Sequence, residues 1–436
     1  MRAYNIILKK RNGESLTADE IGFLVHGYTS GEIPDSQMAA FLMAVCIRGM
    51  SAAETADLTM AMARSGRPLD LSCISGVKVD KHSTGGVGDK TTLVLVPLLA
   101  AAGIPVVKMS GHSLGHTGGT ADKLDSIPGF STAMSPEQMV EQVKRVGAVM
   151  AGQIPDLVPA DKKIYALRDL TATVDCIPLI ASSVMSKKIA SGADAIVLDV
   201  KAGSGAFMKT VDEARDLARS MVDIGAQVGR KTVAVITNME EPLGRAVGNA
   251  MEVREAIDTL QGHGPDDLVE LCAVLGGLAL VLGEKAQSRE EGERVIREML
   301  ADGCGAEKLR EIIRAQGGDP AVVDDPSLLP SAPIIQVVAY PRPGYVARLD
   351  AMEIAHAATA LGCGRGSVGA QPDLATGIYL RRKYGDPVSA GDTLAEIHAR
   401  DQKSADKASA LVTNAYTIGD SAPPPRPLIY EILQME

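Results

Sequence analysis

Two glycine-rich stretches carry most of the residues that could do chemistry. The first, Lys81-His82-Ser83-Thr84-Gly85-Gly86-Val87-Gly88-Asp89-Lys90-Thr91-Thr92, lies between a β-patterned run at 76–80 and an apolar run at 93–102. Strand, glycine loop and helix in that order make an anion cradle. Glycine lets backbone N–H groups crowd around a ligand, and a helix N-terminus adds partial positive charge. Lys81 supplies a full charge, Ser83 and Thr92 supply hydroxyls, and His82 stands beside them. A P-loop does not fit, because Gly88-Asp89-Lys90-Thr91 inserts an acid before the lysine. The second stretch, 109–120, follows a β-patterned run at 104–108 and brings Lys108, Ser110 and Thr120. Loops on consecutive β–α units of a parallel sheet sit at one sheet edge, so the two are expected to grip one anion. Either loop taken alone also reads as a plain glycine turn without a ligand.

Composition narrows the ligand. Acids outnumber bases, 54 to 44, and the net charge of −10 argues against a broad basic face for nucleic acid. Aromatics make up only 3% and Trp is absent, which removes the stacking platforms of single-strand binders. Six scattered cysteines without a C-x-x-C motif read as reduced thiols, not a disulfide framework or zinc site. The N-terminus lacks the apolar core of a signal peptide, and the apolar run at 271–282 is too short to span a bilayer. A soluble, cytoplasmic protein with no membrane partner is expected.

The elements that must position the loops follow from periodicity. Residues 1–66 read as all helical, with capping boxes at Thr17–Glu20 and Ser51–Glu54 and stops at Gly31 and Gly66. Strands are expected at 76–80, 104–108, 193–200 and 231–238. A helix opened by Ser135-Pro136-Glu137-Gln138 is expected to run through Met139, Val143, Val146 and Met150 until Ile154-Pro155. Polar-studded helices at 161–173 and 180–188 place Ser183 and Lys187 on one side, four residues apart. A third loop at 201–209 precedes a helix at 211–229; helices dominate 265–316, and 317–331 is a linker. The C-terminal region alternates strand and turn, as in 383–398. The fold class expected is α/β: a small all-helical domain, a larger α/β domain with a mostly parallel sheet, and a C-terminal β-rich module.

The stretches Lys81–Thr92, Ser110–Asp125 and Asp161–Thr173, with the 383–398 pattern, resemble the pyrimidine-nucleoside phosphorylase and thymidine phosphorylase family. The likeness covers nearly the whole chain, and Gly115-His-Thr-Gly-Gly-Thr-Ala-Asp-Lys-Leu-Asp125 is its most specific string. The resemblance implies a homodimeric pentosyltransferase with its active site in a cleft between domains. The domains are then 1–66 plus 158–192 (helical, dimer face and pyrimidine side), 70–157 plus 193–330 (α/β, phosphate side) and 332–436 (α+β module). The implied reaction is reversible phosphorolysis of uridine, thymidine and deoxyuridine to free base and (deoxy)ribose 1-phosphate, without an organic cofactor. By that similarity Lys81, His82, Ser83, Thr92, Lys108, Met109, Ser110 and Thr120 hold phosphate. Arg168, Ser183 and Lys187 hold the pyrimidine, with His82 near its 2-oxo group; His82, Arg168 and Lys187 are the catalytic set. Lysine at 108 resembles the broad pyrimidine members, where thymidine-restricted relatives carry an apolar residue.

Two departures from the family pattern stand out. The resemblance implies a monovalent-cation site, for K+, at Gly88, Lys90, Leu243, Ala246 and Glu255. Lys90 replaces the hydroxyl residue common there, and its ammonium is expected to pair with Glu255 and displace the ion. His112-Ser113 replaces arginine and a small residue, which creates a formal G-x-S-x-G at 111–115. That motif motivates a rival serine hydrolase with Ser113 as nucleophile, although the following His-Thr-Gly-Gly is a poor helix start. The spacing of His112 and His116 also raises a metal site, but the loop context lacks helical H-x-x-x-H geometry. Closer rivals are a thymidine-restricted phosphorylase and a phosphoribosyltransferase of the same fold. The latter needs acidic residues for magnesium, and the Asp212-Glu213 pair reads more simply as a helix start.

Overall fold

The computed structural model describes residues 1–112, 118–364 and 371–435. Four helices open the chain: α1 (Ala3–Arg11), α2 (Ala18–Ser30), α3 (Asp35–Arg48) and α4 (Ala52–Ala63). Thr17 and Ser51 each accept from the backbone three residues on, and Glu20 and Glu54 reach back, so both capping boxes form. Glu54 does more than cap. Its carboxylate also takes the buried Lys10 ammonium at 2.7 Å and the Leu16 amide at 2.9 Å. Gly31 caps α2 in the left-handed conformation. Helix α4 ends at Ala63, before Gly66. Gly66 serves a close approach instead, since a Cβ there would lie 2.1 Å from the Asp156 carbonyl oxygen.

The middle of the chain alternates strand and helix: β1 (Val79–Ser83), α5 (Thr91–Ala101), β2 (Val106–Ser110), α6 (Thr120–Leu124), α7 (Pro136–Val146) and β3 (Ala148–Gly152). Next come α8 (Pro159–Leu170) and α9 (Ile177–Ala190), whose Ile164, Leu167 and Leu179 join the core of the first four helices. The sheet resumes with β4 (Ala195–Ala202), α10 (Val211–Gln227), β5 (Lys231–Asn238) and β6 (Ala246–Val247). Helices α11 (Asn249–Leu260), α12 (Asp266–Leu282), α13 (Arg289–Asp302) and α14 (Cys304–Ala315) follow. Strands β1, β4 and β5 are parallel neighbours, while β2 pairs in parallel with β3 as a separate ribbon. The two glycine loops therefore leave strands of different sheets, not adjacent strands of one.

Two expectations are corrected here. Strand β1 begins at Val79 and includes Lys81, His82 and Ser83, because buried ion pairs replace apolar contacts for its polar residues. The helix expected to reach Met150 stops at Val146, where Gly147 adopts φ 92°, and Ala148–Gly152 then pairs with β2.

The C-terminal part holds β7 (Ile334–Ala339), β8 (Gly344–Leu349), α15 (Ala351–Ala360), β9 (Gly377–Leu380), β10 (Pro387–Val388), β11 (Thr393–Ala399), α16 (Gln402–Ala415), β12 (Tyr416–Gly419) and β13 (Ile429–Gln434). Strand exchange ties it to the middle. β6 pairs with β9, and β13 runs antiparallel along β5 as the edge of the main sheet. The expected class is borne out: a helical bundle, an α/β region with a mostly parallel sheet, and a β-rich C-terminal region.

The Lys10–Glu54 pair yields a stability prediction. Removing one partner strands a buried charge, at a cost of about 3 kcal/mol. Glu54→Ala, which also loses the cap and the Leu16 contact, is expected to lower the urea midpoint accordingly, while Glu20→Ala at the more exposed box shifts it far less.

Candidate active site

Both glycine loops open onto one cleft of about 640 Å³. One wall carries His82, Ser83, Thr92, Lys108, Ser110 and Thr120 from the ends of β1 and β2 and the starts of α5 and α6. The facing wall comes from α8 and α9 and carries Asp161, Tyr165, Lys187 and Lys188. Gly85 and Gly88 turn the first loop with φ of 99° and 69°, a region that costs other residues energy. Asp89 steadies the loop's exit, accepting from the Thr91 hydroxyl at 2.6 Å and the Thr91 amide at 3.2 Å.

Lysines crowd the floor of the cleft. Asp80 is buried and shared, taking Lys108 at 3.1 Å and Lys188 at 2.7 Å. Burial opposes its charge, but the two lysines hold its carboxyl below the usual range. Burial and the neighbouring Lys188 and Lys81 push Lys108 down to about 7, against the pull of Asp80. His82 is driven well below the usual imidazole range by burial and then by Lys188, Lys108, Lys187 and Lys81. It is therefore a neutral imidazole at neutral pH, a hydrogen-bonding group and not a cation.

Three residues expected to face ligand point elsewhere. The Lys81 ammonium turns beneath the loop to the Thr91 hydroxyl, to Asp199 at 3.3 Å and to Asp89 at 3.8 Å. Arg168 is 1% exposed, and its guanidinium donates to the carbonyls of Thr173 (3.1 Å), Leu179 (3.0 Å) and Val174 (2.6 Å). Three fixed carbonyls suit a planar fork of donors, which explains the inward turn. Ser183 is buried and accepts from Lys187 at 3.0 Å, while Lys187 also binds Asp161 at 2.5 Å. Asp80, Lys188, Asp161 and Tyr165 were not assigned roles by sequence reasoning. The pairings of Asp80, Lys188 and Asp161 join positions 26 to 108 residues apart, and one sequence holds no signal for such contacts.

The expected cation ligands do not fit an added ion. Lys90 is fully buried, and its ammonium donates to the carbonyls of Leu243 (2.9 Å) and Ala246 (2.8 Å) and to Glu255 (2.5 Å). Burial would discharge it, but Glu255 and Glu252 raise its pKa instead. A Cβ on Gly88 would lie 2.6 Å from the Leu243 carbonyl oxygen, so the pocket is closed on that side as well. His112 holds the buried Asp122 at 2.8 Å, with Asp125 nearby. His116 and the nucleophile of the hydrolase reading, Ser113, lie outside the described residues. A second cavity, of about 530 Å³, lies between α11 and the antiparallel β9–β11 pair, where Arg381 already pairs with Glu396 at 2.9 Å.

Comparison with known proteins defines the class first. The glycosyl transferase family matches in two parts, its helical bundle domain over residues 4–66 and its a/b domain over 75–306. The pyrimidine nucleoside phosphorylase C-terminal domain matches residues 345–419. The pyrimidine-nucleoside phosphorylase of Geobacillus stearothermophilus is 53% identical over 414 residues, 95% of this chain and 96% of that one. That of Bacillus subtilis is 52% identical over 433 residues, 99% of this chain and all of its own. The chain belongs to the pyrimidine-nucleoside phosphorylase family. A crystal structure of anthranilate phosphoribosyltransferase from Thermus thermophilus matches at 20% identity with a TM-score of 0.60, over 71% of this chain and 99% of that one, a likeness of fold alone.

The Lys108 environment generates a pH prediction. A bound phosphate dianion favours the ammonium, so its pKa rises above about 7 on binding. The lysine's contribution is then complete below about pH 7 and declines as pH climbs toward the bound value. Lys108→Met is expected to raise phosphate KM about 10- to 100-fold at low pH. The ratio of variant to wild-type KM should shrink steadily toward high pH. Phosphate's own ionisation is common to both proteins and cancels in that ratio.

Proposed function

We propose that this chain catalyses reversible phosphorolysis of pyrimidine nucleosides, giving free base and a pentose 1-phosphate. The observation that carries the reading is the single cleft with two hydroxyl-rich glycine loops on one wall and Lys187 beside Tyr165 on the other. The chain's identity of 53% to a pyrimidine-nucleoside phosphorylase supports it. In this reaction the C1′–N bond breaks, its electron pair leaves with the base, and a phosphate oxygen forms the new bond to C1′. Ser83, Thr92, Lys108, Ser110 and Thr120, with the Met109 backbone, hold phosphate for in-place attack, where proximity supplies much of the rate. Lys81 acts from below, bracing the loop through Asp89 and Asp199. Lys187, Arg168 and Ser183 serve the base oxygens, where negative charge develops. His82, as a neutral imidazole, donates a hydrogen bond near the 2-oxo group. The exchange of one nucleophile for another at carbon needs no organic cofactor.

The domain division proposed is 1–66 with 158–192, 70–157 with 193–330, and 332–436. Closure of the first against the second, about 66–76 and 155–192, is proposed to accompany catalysis. Lysine at 108 supports uridine as a substrate beside thymidine and deoxyuridine, against a thymidine-restricted reading. Among the described residues no helix is long and apolar enough to cross a membrane. With six free cysteines, a reducing, cytoplasmic setting is the proposal.

Uridine with phosphate is expected to give uracil and ribose 1-phosphate without added divalent metal; no uracil release would remove the reading. Lys187→Met is expected to cut kcat for uridine about 10²- to 10³-fold, with far less change in phosphate KM. Equal loss in both parameters would move Lys187 to the phosphate.

We also propose a homodimer through the outer face of the bundle. Met43 and Ile47 lie one turn apart on α3, and Tyr4 stands exposed on the adjoining α1. Light scattering is expected to give twice the chain mass, and Ile47→Asp with Met43→Asp to give monomers. A wild-type monomer at micromolar concentration refutes it.

A further inference from the structure

Lys90 occupies the place a monovalent cation would need. Its three ammonium protons meet three acceptors: two main-chain carbonyls on the 243–246 turn and the Glu255 carboxylate on α11. The donor set is complete, and the group has no exposure to solvent. Carbonyl and carboxylate oxygens around one positive charge are also what a potassium ion takes. Glu255 turns its remaining capacity to the amides of Arg245 and Ala246, at 3.0 to 3.2 Å, so the whole turn closes around the ammonium.

The position matters because Lys90 is the N-cap residue of α5 and ends the first glycine loop. Its neighbour Asp89 is gripped from a second side. Lys123, at the base of the second glycine loop, donates to the Asp89 carbonyl at 2.7 Å and pairs with Glu252 at 2.6 Å. Glu252 and Glu255 are one turn apart on α11. One helix face therefore anchors both loops through two buried lysines.

We infer that Lys90 is a covalently tethered cation: it replaces an exogenous monovalent ion and makes the order of the phosphate loop independent of potassium. Lys90 is in this sense a positioning residue, acting through the loop backbone. The loop-ordering part rests on the phosphorylase reading; the thermal behaviour does not.

The test compares wild type with Lys90→Thr and Lys90→Ser in potassium, sodium and tetramethylammonium chloride at equal ionic strength. Thermal melting and phosphate KM are both read. Wild type is expected to melt at the same temperature in potassium and tetramethylammonium, with unchanged phosphate KM. The variants are expected to melt lower in tetramethylammonium and to be rescued saturably by potassium, better than by sodium. Their phosphate KM should fall at least about fivefold as potassium saturates. A saturable, potassium-specific rise in wild-type melting temperature overturns the inference. So does a folded Lys90→Thr protein that melts identically in all three salts. Should the variants not fold, the wild-type titration decides alone. Rescue of melting without any uracil release would keep the tethered cation and fail the phosphorylase reading instead.

Discussion

A single buried carboxylate holds the cleft's two walls to each other. Asp80 on β1 takes Lys108 from the middle of β2 and Lys188 from α9. The first belongs to the loop wall and the second to the helical wall, so this one side chain bridges the two walls. Burying a charge is tolerable only when it is paired, and here each partner supplies what the others need. Neither lysine can be withdrawn without leaving charge in a low-dielectric interior. Removing Asp80 would leave two ammoniums facing each other across the floor of the site.

The same group supports the proposal that the cleft takes an anion. Lys81, Lys108, Lys187, Lys188 and Lys201 share Asp80, Asp89, Asp161 and Asp199, five lysines against four carboxylates. The excess is small in number but large in effect, because fields in a water-poor cleft are weakly screened. It is visible in the lowered Lys108 and the neutral His82. A dianion beside Lys108 would favour its ammonium form, which supports the proposed phosphate role of this wall. The 46% hydrophobic, net acidic chain thus keeps its positive potential local.

Much of this was legible along the chain where the signal is local. Capping boxes at Thr17 and Ser51, the left-handed Gly31, and β5 at 231–238 all depend on neighbours in sequence. The glycine loops were legible for the same reason. What failed were features decided by distant partners. β1 carries Asp-Lys-His-Ser in a buried strand because Asp199, Lys188 and Lys108 neutralise it, and no periodicity reports that. The run at 148–152 is short and apolar, equally good as a helix end, until β2 pairs with it. Arg168 carries the residue type of a ligand contact, yet the carbonyls of the 173–179 turn compete for it and win in this form.

The C-terminal region has a mechanical reason to be attached to this site although it lines none of the loop wall. Lys383 donates to the Gly244 carbonyl at 3.0 Å and to Asp267 at 2.9 Å, and Asp267 accepts the Gly244 amide at 3.0 Å. Arg245 reaches the other way, to the carbonyls of Leu380 at 3.2 Å and Arg381 at 3.0 Å. The pairing of β6 with β9 continues the same seam. All three contacts fall on the 242–248 turn, the segment whose carbonyls receive Lys90. A turn that must present carbonyls inward to a buried ammonium cannot also be a free surface loop, since its amides and its own geometry would go unsupported. The β-rich region supplies that support. A chain of contacts therefore runs from the β-rich region through the turn to Lys90 and to the loop that ends at α5.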